Sequence, residues 1–171
     1  MRHLIFRPRG VVAAGVFSAL LVITNLFFTV GTGSTASAKR ADNKPAPQLE
    51  RAMLTLVNEE RGKRGLRPLS ADSELTRVAR AHSLDMILRR YFSHYSPDGD
   101  DPFDRFRSAG IRYRAAGENL ALAPALEQAH TMLMKSKDHR ENILRSTFGR
   151  VGIGIIDGGS RGLMISQEFR D

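Results

Sequence analysis

Apolar residues recur at helical spacing through most of the chain, and the pattern changes to strict alternation only near its end. Leu49, Ala52, Met53, Leu56 and Val57 predict a helix over 48–64, with Gly65 placed to end it in a left-handed turn. Pro68 forces the stretch from Leu66 to Leu69 to extend, after which Ser70 or Asp72 caps a second helix reaching about Arg90. Its inner stripe is Leu75, Val78, Ala79, His82 and Met86. On that apolar stripe His82 reads as a hydrogen-bonded core histidine rather than a ligand.

Tyr91 to Gly99 is loop by its Ser, Pro, Asp and Gly content. Asp101-Pro102 supplies the cap and first residue of a short helix with Phe103 and Phe106 turned inward, and Gly110 ends it. The stretch from Ile111 to Ala116 reads as extended. Pro124 opens another helix with Leu126, Ala129, His130, Leu133 and Met134 on one face, and a further short helix holds Arg140 to Leu144. Val151, Ile153 and Ile155 then alternate, as do Leu163, Ile165, Gln167 and Phe169, about the turn Asp157-Gly158-Gly159-Ser160. That is a β-hairpin. Helices followed by a terminal hairpin define an α+β class rather than a doubly wound sheet.

The front of the chain is of another kind. Arg2, Arg7 and Arg9 precede an uncharged run from Val11 to Val30, and Ala36-Ser37-Ala38 follows. This is the layout of a signal peptide over residues 1–38, with an uncleaved N-terminal membrane anchor as the alternative. Residues 39–47, with Pro45 and Pro47, read as a linker, and 48–171 as one domain. In both cases the domain works beyond the cytoplasmic membrane, secreted or in the cell envelope.

The 171 residues include no cysteine, so the fold relies on packing without disulfides. Three of the eight net positive charges belong to Arg2, Arg7 and Arg9. The others are interleaved with acids, as on a solvated surface, although an anionic membrane or envelope surface would also be attracted. Arg105, Arg107, Arg112 and Arg114 form the densest cluster, and no nucleic-acid motif accompanies them, so nucleic acid is not an expected partner.

Gly158-Gly159-Ser160-Arg161-Gly162 matches the string of a serine-hydrolase elbow, but it falls in a hairpin turn rather than between strand and helix. The remaining candidate chemistry is His94 in its loop, Glu118 among apolar residues, and His139 at a helix start. Two imidazoles and a carboxylate can hold a divalent metal, act as general acid and base, or simply tie loops together. Their spacing matches no local metal motif and leaves the three open.

At these residues the sequence resembles the CAP superfamily of SCP/PR-1-like domains, in its cysteine-free bacterial secreted form. The likeness lies in His94 after an aromatic residue, in Gly117-Glu118-Asn119-Leu120-Ala121, and in Ser136-x-x-His139-Arg140-x-Asn142-Ile143-Leu144. It also lies in Asn58-x-x-Arg61-x-x-x-Gly65-Leu66-x-Pro68-Leu69, Ala81-His82-Ser83-x-Asp85-Met86, Val151-Gly152-Ile153-Gly154 and Gln167-Glu168-Phe169. The resemblance implies a three-layer α-β-α sandwich on an antiparallel sheet, and a cleft lined by two histidines and two acids that binds a divalent metal in some members. His94, Glu118 and His139 match three of those positions. Ser136 stands where the second acid is expected, and Glu127 and Glu141 fall outside the motif.

Two functions follow as expectations. The first is a noncatalytic extracellular module that takes a small amphiphile, a lipid, a peptide or an envelope component in the cleft, with Phe92, Tyr95, Tyr113 and Leu122 as apolar lining. The absence of a nucleophile with an adjacent base favours it. The second is a metal-assisted hydrolase in which His94 and His139 hold zinc and Glu118 orients or deprotonates its water.

Overall fold

A computed structural model describes residues 43–171. The expected signal or anchor segment, 1–38, lies outside the described residues. Among these residues five helices enclose a four-stranded sheet in three layers, and the strands run in the order β1-β3-β4-β2.

Helix α1, Pro47–Gly62, opens with proline at its first position, where no amide hydrogen is needed. Ahead of it, Pro45 bridges Ile156 and the Ala46 amide donates to the Ile155 carbonyl at 2.9 Å. Residues 43–46, within the expected linker, therefore lie along the sheet. The extended stretch after α1 is pinned by the side chain of Asn58, which exchanges two hydrogen bonds with Leu69, at 2.8 and 3.0 Å. Arg61, fully buried, donates to the carbonyls of Arg67, Ile143, Arg145 and Phe148. The chain keeps these polar residues in α1 because they fasten it to distant loops.

Strand β1, Ser70–Ala71, is two residues long and pairs parallel with β3. Asp72, rather than Ser70, caps α2, Ser73–Arg89, by accepting from the amides of Glu74 and Leu75. Helix α3, Pro102–Ser108, carries a capping box in which Asp101 and Asp104 each bond the other's amide. Gly110, at φ +71°, reverses the chain behind it.

Ile111 to Ala115 forms no strand; β2 runs instead over Ala116–Ala123 and continues through the Glu118 motif. Helices α4, Leu126–Lys135, and α5, Lys137–Leu144, follow, with α5 beginning earlier than the sequence suggests. Strands β3, Arg150–Asp157, and β4, Leu163–Arg170, form the expected hairpin around a single 3₁₀ turn. The three long strands are antiparallel, with Glu118 opposite Glu168 across β2/β4 and Gly152 opposite Glu168 across β3/β4.

Each sheet face has its own packing. Met53, Val57, Leu133, Ile143, Ile155, Ile165 and Phe169 fill the space between the sheet and α1, α4 and α5. On the other face α2 lies unusually close. A Cβ added at Gly152 would sit 2.1 Å from the Leu75 backbone, and one at Gly154 would sit 2.2 Å from the Arg80 nitrogen. Only glycine allows this approach. Ser83 then reaches the sheet itself, donating to the Gly154 carbonyl and accepting from the Ser166 hydroxyl.

Candidate functional site

Successive residues of a strand point to opposite faces, and Glu118-Asn119 uses this to organise two walls at once. Glu118 faces the α2 side. Its Oε1 accepts from His94 Nδ1 at 2.6 Å and its Oε2 from Arg105 Nη2 at 2.6 Å. Asn119 faces the other side, where its amide donates to the His139 carbonyl at 3.0 Å and to Gln167 at 3.1 Å. Asn142 returns the bond, donating to Asn119 Oδ1 and to the Glu118 carbonyl. Arg140 donates to the Met134 and Lys135 carbonyls at the end of α4. The polar residues of both motifs thus hold α5, and with it His139, against the edge strand β2.

His94 comes from the loop between α2 and α3. Arg89 forks onto Asp98, Ser96 Oγ accepts from the amides of Asp98 and Asp100, and Arg105 donates to the His94 and Asp100 carbonyls. Because a carboxylate only accepts, His94 is the donor of this bond, through Nδ1–H. Burial pushes the His139 pKa down, and the nearby His94 adds to that shift. His94 and His139 are both half-buried, one on the loop before α3 and the other on α5.

His82 is the buried, partnered core histidine expected. Its Nε2 lies 3.1 Å from the Ser93 carbonyl and 3.7 Å from Glu118 Oε2. Burial lowers its pKa against the pull of Glu118, so it stays neutral under the cleft. Ser136 links α4 to α5 without capping either through its side chain.

Two site residues escaped the sequence. Arg105 looked like surface charge and is the counterion of Glu118. Glu168, a second acid, is fully buried directly opposite Glu118. As a carboxylate it has no hydrogen-bond partner among the described residues. Burial first, and then the charge of Glu118, drive its pKa well above the usual carboxylate range. Burial also pushes Glu118 up, but the His94 hydrogen bond, the Arg105 charge and the Glu168 proton outweigh it and hold it below its ordinary value. Of two carboxyls placed this close, Glu168 is thus the one favoured to hold a proton and Glu118 the one favoured to ionise. The alternation of Leu163, Ile165, Gln167 and Phe169 concealed Glu168, since β4 is buried on both faces.

Measured against a divalent ion, the donor set falls short. Both oxygens of Glu118 are taken, one by a guanidinium, and Glu168 lies beneath the surface. Among the described residues no group of three or more His, Asp or Glu is disposed to hold a metal. Two imidazoles remain, one of them with its Nδ1 already committed.

The profile of the cysteine-rich secretory protein family, CAP, matches residues 54–169, and the chain belongs to that family. The chain is 43% identical over 121 residues to the uncharacterized protein YkwD of Bacillus subtilis (strain 168), covering 70% of this chain and 46% of that protein. Its fold matches an extracellular protein containing a SCP domain from Bacillus anthracis str. Ames, with 30% identity and a TM-score of 0.66. That match covers 72% of this chain and 40% of the other, so the chain spans less than half the length of both relatives. An outer surface protein of Borrelia burgdorferi, 18% identical, shares the fold alone, at a TM-score of 0.70 over 75% of this chain and 98% of that one.

Proposed function

We propose that the chain is a noncatalytic binding module working outside the cytoplasmic membrane. Its cleft takes a small amphiphile or envelope component. The observation that carries this reading is how the central carboxylate is used: Glu118 spends both oxygens on His94 and Arg105, which leaves it poorly placed to serve as a base. His94 Nε2 and the His139 ring suit the polar end of a ligand. Phe92 and Tyr95, 51% and 42% exposed on the same loop as His94, suit its apolar part. Tyr113 packs instead against Phe103 and Phe106, with ring centroids 5.7 and 5.6 Å away. The extracellular Bacillus anthracis relative and the Val11–Val30 run support the location. No helix of the described residues is long and apolar enough to cross a membrane.

The test is thermal unfolding with a lysophospholipid below its micelle concentration and, separately, with a soluble peptidoglycan fragment. One of the two should raise Tm, since a ligand at a hundredfold its Kd adds about 2.7 kcal/mol. Phe92→Ala and His139→Ala should each weaken that gain. No shift with either probe overturns the reading.

A further inference from the structure

The carboxylate at the centre of the cleft already has a cation, and that cation belongs to the chain. Arg105 reaches out of α3 so that Nη2 lies 2.6 Å from Glu118 Oε2, while Nη1 lies 3.1 Å from the His94 carbonyl and 3.2 Å from the Asp100 carbonyl. The oxygens come from a strand and from both ends of a loop, and they converge on one guanidinium. One carboxylate oxygen and two carbonyl oxygens make a donor set of the kind a hard divalent ion takes.

The guanidinium is not held there by a full set of hydrogen bonds of its own, for Arg105 Nε is buried without a partner. What it satisfies is the charge of Glu118, whose side chain is 1% exposed, against its own 14%. A carboxylate taken that far from water requires a positive partner. A flexible lysine could swing out to solvent, whereas the planar fork reaches carboxylate and carbonyls together.

We propose that Arg105 is a built-in substitute for a divalent cation: it fills the cage formed by Glu118 Oε2 and the carbonyls of His94 and Asp100, and so excludes metal from this site. This exclusion concerns the cage alone and holds whatever organic ligand the cleft takes.

The experiment is thermal unfolding of the full-length protein in EDTA and in calcium chloride, with calcium titrated calorimetrically. Wild type has the same Tm in both. Arg105→Ala loses stability in EDTA and recovers in calcium, binding one equivalent at least about tenfold more tightly than wild type. Arg105→Lys, which keeps the charge, gains no calcium response. Adding Glu118→Gln to Arg105→Ala abolishes the recovery. Should Arg105→Ala be unfolded in EDTA, refolding on addition of calcium is the supporting result. The proposal is overturned if Arg105→Ala shows no calcium response, folded or not. It is equally overturned if the response survives Glu118→Gln, if Arg105→Lys acquires it, or if wild type itself is stabilised by calcium. The lysophospholipid and peptidoglycan titrations are separate measurements, so failure here leaves the amphiphile reading standing.

Discussion

Glu118 and Glu168 stand directly opposite one another on β2 and β4, both buried, and their surroundings drive their pKa values apart, Glu118 down and Glu168 well up. Two ionised carboxylates in this arrangement would repel strongly. Glu168 therefore binds a proton in the folded protein at pH values where the unfolded chain has released it. Its contribution is fully present below the unfolded value of about 4.3 and is lost as pH rises toward the raised folded value. Glu168→Gln keeps a donor for Glu118 and removes the titration. Equilibrium urea unfolding should show variant and wild type equally stable at pH 4. The variant should gain with each pH unit above that, by up to about 1.4 kcal/mol per unit. A difference independent of pH would sink this account.

Glu118 works with the opposite sign. Its folded pKa is depressed, so its contribution is present above the unfolded value of about 4.3 and disappears as pH falls through the folded one. Glu118→Gln leaves Arg105 without its counter-charge, a loss of about 3–5 kcal/mol at neutral pH by comparison with other broken buried pairs. Denaturation curves from pH 7 down to pH 3 should show that deficit shrinking. A constant deficit would point to lost packing.

Asn119 carries the other wall. Asn119→Ala removes the bonds to the His139 carbonyl and to Gln167 and leaves buried polar groups unpaired, at about 1–3 kcal/mol. The first consequence is local. Amides of α5 should exchange faster with deuterium while those of α2 keep their protection. Uniform loss of protection would show that Asn119 supports the whole fold rather than the histidine.

The glycines of β3 make a sharper test of packing. In Gly154→Ala the new methyl meets the Arg80 nitrogen at 2.2 Å, and α2 must move off the sheet. Overpacking of this severity costs about 3 kcal/mol or more. Gly62→Ala at the end of α1 meets nothing within 4 Å and should stabilise by about 0.5–1 kcal/mol. Thermal denaturation of the two variants should move in opposite directions.

Helices could be read along the chain because their signals are local. Asp72 and Asp101 announce their caps, and the stripe from Leu75 to Met86 repeats at helical spacing. The terminal hairpin was legible for the same reason. Strand β2 was not, because all but one of its residues are buried and no alternation survives. The three motif residues His94, Glu118 and His139 could be named in advance, yet what binds them could not. Arg105 is recognisable as a counterion only once α3 is folded beside β2. Glu168 is set opposite Glu118 only through strand register. A chain with a single acid in its motif can still bury a second one from the neighbouring strand.

The segment bearing His94, Phe92 and Tyr95 has no regular structure of its own and is moored by side chains at a few points, whereas Glu118 and Asn119 belong to a sheet packed on both faces. Within this segment Phe92 and Tyr95 can therefore be exchanged with little disturbance to the sheet, provided His94 still meets Glu118 and Arg105 still finds carbonyls to grip. Ligand preference is expected to follow this lip, so replacing Phe92 and Tyr95 while keeping His94 should change which probe the protein takes while the unfolding temperature stays nearly constant.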